Sequence, residues 1–517
     1  MPSALARRLA SDSAQPALLP TASRKRIAQE IASGLPQLRL YAASLCSVPG
    51  GLVAAARDGA QRKVLVFGKL QGFGGTAATL GDVPVRICDA DAGNMAALRQ
   101  RVPWLCPQRA GQRSSVGLGD RLGLATPGHI AAGRKCGFFL TLAQQSIREM
   151  QRTGRSAQQV MDEATFGVFE SGYDAGFGSD ADHLKTTEDV DLTAAAGFVS
   201  FTIDPSAHVD DTVAGTDRVQ LEAKYDKLLA DRVPGAAEWR KKYVGQTFDL
   251  DGLKLTCDEE SLLRAAVKYG RAVAHVEAMA RHIARRAPTH EIELSVDETA
   301  LPTSSMEHFF IANELRDRGV RPTALAPRFV GEFEKGIDYK GDLKIFAAAL
   351  KEHVAIARHC GPYKLSVHSG SDKFSIYPIV AQLTGGAFHL KTAGTSYLEA
   401  LRVAARKDVA FFRELIAFCR GRYDTDKATY HVSAQLANVT APEALSDADL
   451  ERVYLDENDG REVLHVTFGS VLTHAEAGTP RYRNRLLDLL NREAETYVDV
   501  LKKHIGRHLK GLAARRR

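Results

Sequence analysis

The stretch Glu291-Ile-Glu-Leu-Ser-Val-Asp297 decides the fold. In an extended chain Ile292, Leu294 and Val296 share one side, while Glu293, Ser295 and Asp297 share the other. A strand of an ordinary parallel sheet is apolar on both sides, because helices cover both. Here the polar side needs water or partners, and the lumen of a closed barrel near its C-terminal mouth supplies them. The pattern recurs. Lys364, Ser366 and His368 alternate with Leu365 and Val367, and His389 and Lys391 with Phe388 and Leu390. Ser200, Thr202 and Asp204 alternate with Val199, Phe201 and Ile203, and His431 and Ser433 with Tyr430 and Val432. Strands of this kind predict an α/β chain folded as a (β/α)8 barrel of the TIM type.

Working outward, candidate strands fall at 137–143, 176–185, 197–204, 291–297, 323–329, 364–368, 387–392 and 429–433, with helical patterns between them. Ser304 and Glu307 form a capping box opening a helix that stops at Gly319, and Asp342 opens another that ends before Gly361. An apolar run at 462–469 is a further strand candidate. Residues 126–517 are therefore read as the barrel, with a charged helical insertion at about 210–285 outside it. Residues 1–125 form an N-terminal elaboration. Its first thirty residues, rich in Ala, Ser and Pro, are expected to be poorly ordered. Within it, strand-like runs at 63–67 and 83–87 flank Gly68-Lys-Leu-Gln-Gly-Phe-Gly-Gly75. That loop lacks the spacing of a phosphate-binding GxxxxGK[ST] motif and reads as a turn.

Composition narrows the function. The 517 residues are 44% hydrophobic and 25% charged, enough for a large core, and the net charge is only +6. Lys and Arg are dispersed apart from the terminal Arg515, Arg516 and Arg517, so no basic face for nucleic acid is expected. The seven cysteines are scattered without CxxC spacing, as for reduced thiols. No apolar stretch approaches the roughly 20 residues that span a bilayer, and no apolar core follows the early Arg and Lys residues as in a secretory signal. The expected location is the cytoplasm.

Barrel enzymes work at the C-terminal ends of their strands. Those ends carry Asp180, Asp182, His183, Lys185, Asp204, Asp297, Glu298, Arg328, Glu332, Glu334, His368, Lys373, His389, Lys391 and His431. Imidazole and carboxylate from separate strands can converge on a divalent cation, with Mn, Ni, Zn, Co and Fe all suited to such ligands. Lys185, Arg328, Lys373 and Lys391 around one mouth favour an anionic ligand.

Several segments resemble the tagaturonate epimerase family: Ser295-Val-Asp-Glu-Thr299, the run from Glu307 to Leu315, that from Ala326 to Tyr339, Lys364 to Phe374, and His389 to Tyr397. Asp180-Ala-Asp-His-Leu-Lys185 and Leu464-His-Val-Thr-Phe-Gly469 match as well, so the resemblance runs from about residue 130 onward. It implies a metal-dependent interconversion of D-tagaturonate and D-fructuronate in hexuronate catabolism. It also implies Asp182 as proton acceptor, Asp297 or Glu298 as donor, and His183, His368 and Glu332 as metal ligands, with Glu334 and His389 as alternatives to Glu332. Lys185, Arg328, Lys373, Lys391 and His389 would bind the small anionic sugar acid. The centre that distinguishes the two ketouronates lies β to the ketone, beyond the reach of simple α-proton exchange, and retro-aldol cleavage with re-addition would invert it. A ketose isomerase or class II aldolase on the same barrel is the alternative, and a non-catalytic sugar-acid-binding protein a more distant one.

Overall fold

The computed structural model describes residues 3–10, 14–392 and 394–513. Eight parallel strands close into a barrel in chain order: β1 (Ser115–Leu118), β2 (Phe139–Ser146), β3 (Gly178–Leu184), β4 (Ser200–Ile203), β5 (Glu291–Val296), β6 (Ala324–Pro327), β7 (Lys364–Val367) and β8 (Phe388–Thr392). Strand β8 pairs back onto β1, with His389 opposite Ser115 and Thr392 opposite Leu118. The alternation works as expected. Ile292, Leu294 and Val296 join the buried apolar layer with Phe309 and Phe310 of the next helix. Thr202 and Glu293 stand in register in the lumen, as do Ser366 and His389.

One expected strand is replaced by another. Residues 429–433 form no strand. Tyr430 and Val432 lean on a helical cluster beside the barrel, and His431 is exposed. Alternation of polar and apolar residues arises wherever an extended segment lies on a surface. The missing strand is β1, upstream of residue 126, so the barrel begins within the N-terminal 125 residues. Its lumen positions are Ser115 and Gly117, which leave little polar signature. A Cβ on Gly117 would come within 2.6 Å of Gln144 Oε1, so this strand has only backbone there. The run at 462–469 is helical, split between Asn458–Val466 and Phe468–Thr473. Short apolar runs do not separate strand from helix.

The helix caps are as expected. Ser304 and Glu307 cap Ser305–Asp317 reciprocally, and Asp342 caps Leu343–Cys360. The long helix Glu259–Arg286 leads from the insertion into β5. Helices Arg218–Ala230 and Ala236–Tyr243 and the hairpin Thr247–Leu250/Leu253–Thr256 precede it. Trp239 Nε1 ties this insertion to the barrel by donating to Glu314 at 2.8 Å.

The N-terminal region is a seven-stranded antiparallel sheet that includes Gln61–Gly68 and Val83–Asp89, the two runs expected as strands. Buried Arg57 joins the sheet to the barrel helix Ala157–Glu170 through Glu170, 3.4 Å away. The described residues among the first thirty are more ordered than their composition suggests. Helices Ala4–Ala10 and Thr21–Gly34 bury Leu5, Ile27 and Ile31; of the N-terminal residues expected to be poorly ordered, Met1, Pro2 and Ser11 to Ser13 lie outside the described residues. None of the seven cysteines forms a disulfide. Among the described residues no helix is long and apolar enough to cross a membrane.

Candidate active site at the barrel mouth

At the centre of the lumen Lys391 Nζ lies 2.7 Å from Asp180 Oδ2, 2.7 Å from Asp182 Oδ1 and 2.9 Å from Glu293 Oε1, and it donates to Thr202 Oγ1 at 2.7 Å. These groups come from β3, β4, β5 and β8 and are all buried. One lysine facing three carboxylates leaves excess negative charge, which a buried site neutralises by a cation or a proton. Burial raises the Asp180 carboxyl to about 6 despite Lys391, with Asp182 and Glu293 adding to the rise. Asp182 moves the other way. Burial opposes its ionisation, but Lys391, His183 and His368 hold it below the ordinary carboxylate range.

Above Lys391 stand the two imidazoles. By strand parity His183 should face away from Asp182. The β3–β4 pairing slips register between Ala181 and Leu184, and His183 adopts φ 54°. Such a bulge re-aims side chains, and it brings two consecutive residues to one mouth. His183 Nδ1 is 3.1 Å from Asp204 Oδ2, which fixes the ring so that Nε2 turns towards Asp182 Oδ1, 3.9 Å away. His368, at the end of β7, sets Nε2 2.5 Å from Glu293 Oε1 and Nδ1 3.3 Å from Asp297 Oδ1. Burial would lower its pKa, yet Asp297 and Glu293 raise it to about 10. The rings meet edge to face with centroids 5.2 Å apart.

Asp182, His183 and His368 offer ligand atoms that all lie within 4.8 Å of one another, a donor set that suits a divalent cation. The excess negative charge beneath them fits the same ion. A small cavity of about 40 Å³ touches this group and opens past Asp297, Glu298, Lys335, His368 and Ser369 into an outer cavity of about 240 Å³.

The other expected site residues are distributed differently. Glu298 borders both cavities and pairs with Arg148 at 2.7 Å. Arg328 lines the outer cavity, 3.8 Å from Glu332. Glu332 itself turns outward to His431, 2.5 Å away, and is not brought to the imidazoles. Glu334 is buried, but against Ser433, Lys340 and Glu462. His389 sits lower in the lumen, its Nδ1 2.8 Å from Ser115 Oγ, and burial pushes it down to about 3. Lys373 does not face the mouth. Its ammonium donates to the carbonyls of Glu334, Ile337 and Ser371, tying two loops together, because its own loop turns back at Asp372 (φ 60°). Lys185 is half-exposed beside Asp204 and Ser206. Lys391 is spent on carboxylates of the protein.

Three lining residues escape sequence reasoning. Lys335 donates to Ser369 Oγ and borders both cavities; it lies inside the run from Ala326 to Tyr339 that carries the family resemblance. Arg148 lies in a helix after β2, where no pattern marks it. Gln144 is fully buried beside the inner cavity, and its side-chain amide has no hydrogen-bond partner among the described residues.

A closed parallel barrel with imidazole, carboxylate and ammonium groups gathered at its C-terminal mouth is the architecture of a (β/α)8 enzyme. Comparison with known proteins narrows the class. The family model for tagaturonate epimerase (UxaE) matches residues 41–512, and the chain belongs to that family. The match takes in most of the N-terminal sheet as well as the barrel. The chain is 44% identical over 422 residues to the tagaturonate/fructuronate epimerase of Thermotoga maritima, covering 82% of this chain and 85% of that one. It is also similar to the glycerol-complexed crystal structure of fructuronate-tagaturonate epimerase UxaE from Cohnella laeviribosi, with TM-score 0.88, 34% identity, and 95% and 99% of the two chains covered. The native crystal structure of that enzyme gives TM-score 0.88 and 35% identity.

Proposed function

We propose that the protein is an isomerase that interconverts D-tagaturonate and D-fructuronate, with Asp182, His183 and His368 as the centre of its site. The observation that carries this reading is the Asp182–His183–His368 group, buried but for part of His183, opening into a cavity lined by cations. A divalent cation held by His183, His368 and one oxygen of Asp182 would supply Lewis-acid stabilisation of negative charge on a substrate oxygen.

The chain's own groups account for the proton transfers. Asp182, kept ionised by Lys391, accepts the proton of the hydroxyl at the inverted carbon. Glu298 returns a proton on the opposite side. Both candidate donors border the two cavities; Glu298 is one-third exposed, whereas Asp297 is engaged by Ser295 and His368 and positions that ring. Asp204 does the same for His183. Gln144 presents its free amide to a substrate hydroxyl.

Metal-stripped protein incubated with D-tagaturonate, with and without Mn, Ni, Zn or Co, and followed by NMR tests the assignment. Metal-dependent appearance of D-fructuronate is expected, lowered at least 100-fold by Asp182→Asn and by His368→Ala. No conversion with any of the metals sinks the epimerase reading. Accumulated three-carbon fragments in place of an epimer assign the protein to the aldolases.

A further inference from the structure

Two arginines and one lysine line the outer cavity: Arg148, Arg328 and Lys335. Two already have partners. Arg148 pairs with Glu298 at 2.7 Å, and Lys335 donates to Ser369 Oγ at 2.5 Å. Arg328 is differently placed. Its nearest acid, Glu332, is 3.8 Å away and is itself engaged by His431 at 2.5 Å, while Arg328 Nε is buried without a hydrogen-bond partner. A buried guanidinium nitrogen without an acceptor is costly unless a ligand supplies one. Lys335 stands where the inner and outer cavities join, so a molecule reaching from the imidazoles to Arg328 passes it. Phe329, Phe333 and Tyr430 add an aromatic wall, and the two acids of the lining, Glu298 and Asp297, are engaged by Arg148 and His368.

We propose that Arg328 and Lys335 form a carboxylate subsite that holds the acid end of the ketouronate outward and keeps that half of the molecule bound while the reacting carbon turns over. The proposal rests on the epimerase reading. In retro-aldol cleavage a base removes the hydroxyl proton at the inverted carbon. The bond from that carbon to its ketone-side neighbour breaks, and its electron pair passes to the ketone-side fragment as an enediolate. The other fragment becomes a three-carbon aldehyde that carries the carboxylate. It turns its opposite face to the enediolate, the bond re-forms, and the new alkoxide takes up a proton; nothing is oxidised or reduced. Inversion without loss requires the aldehyde to rotate without leaving, and a carboxylate on a guanidinium and an ammonium supplies that tether.

The test uses the metal-loaded enzyme and the variants Arg328→Met, Lys335→Met and the charge-retaining Arg328→Lys. Arg328→Met and Lys335→Met are expected to raise KM for D-tagaturonate at least ten-fold and to release a carboxylate-bearing aldehyde that a hydrazine traps, with Arg328→Lys largely restored. Binding of D-gluconate relative to its neutral counterpart D-glucitol, by calorimetry, gives a readout without turnover. The wild type should favour gluconate at least ten-fold, and the doubly substituted protein should bind the two about equally. A gluconate preference that survives both substitutions overturns the subsite, as does wild-type enzyme that leaks aldehyde as fast as it epimerises. A wild type that shows the charge preference but no epimerisation leaves the subsite standing and removes the epimerase reading.

Discussion

At the scale of single residues, the mouth depends on buried charge held in pairs. Lys391 is the ammonium in contact with Asp180, Asp182 and Glu293, and removing one partner of a buried ionic group costs about 3–5 kcal/mol, because the remaining charges lose their neutralisation. Lys391→Met is therefore expected to lower the thermal midpoint clearly, and a midpoint unchanged within a degree would contradict the role given to this lysine. A second pair of carboxyls, Glu334 and Glu462, lies at the rim, where Ser433, Lys340 and Ala434 hold them. Burial and the neighbouring Glu334 raise Glu462 to about 8; Glu334 stays low, against its burial, through bonds from Ser433, Glu462 and Lys340. The pair anchors the segment at 430–434. Ser433 N donates to Glu334 at 2.9 Å and Ala434 N to Glu462 at 2.8 Å. Because the folded-state pKa of Glu462 lies above the unfolded value of about 4.3, its stabilisation is full below that value and is lost as pH rises through about 8. Protection of this segment against hydrogen exchange, taken relative to the intrinsic base-catalysed rate, should fall between pH 7 and 9, and Glu462→Gln, whose amide donates at every pH, should remove that fall.

At the scale of elements, the sequence was legible wherever a strand's polar face met the lumen. Strands β5, β7 and β8 carry charged or imidazole groups at alternate positions, and period-two reading finds them directly. Strand β1 was missed because Ser115 and Gly117 give the lumen almost no side chain, and 429–433 mimicked a strand because surface contact imposes the same alternation. The site was legible in part. Asp182, His183, His368 and Arg328 were found at strand ends, but loop conformation lies outside any strand period. That is why Lys373 turned out to bind carbonyls, Glu332 to face outward and Lys335 to go unnoticed. Helix packing adds a constraint that periodicity does not express. The helix Thr126–Gly133 lies so close to the last helix, Ala494–Ala513, that a Cβ on Gly128 would sit 2.6 Å from Leu501 Cβ. Gly128→Val should destabilise by about 1–3 kcal/mol through overpacking, read from the midpoint of urea unfolding, and Leu501→Ala in the same chain should recover part of the loss.

At the scale of the whole molecule, the candidate ligands join segments that fold far apart in sequence, since Asp182 and His183 come from β3 and His368 from the end of β7, on opposite parts of the closed barrel. An ion bound there stabilises only the folded chain, because the unfolded chain does not gather the ligands. At a hundred times its dissociation constant such an ion adds about 2.7 kcal/mol. For a chain of 517 residues unfolding as one unit, with an unfolding entropy of roughly 2 cal/mol/K per residue, that corresponds to about 2–3 °C in Tm. Chelation should lower the midpoint by this amount, and re-addition of Mn or Zn should restore it. His368→Ala should abolish the metal-dependent shift, while His389→Gln, on a residue bonded to Ser115 below the cluster, should keep it. A shift that disappears with His389 and survives the loss of His368 would move the ion from the mouth to the floor of the lumen, and with it the base that the chemistry requires.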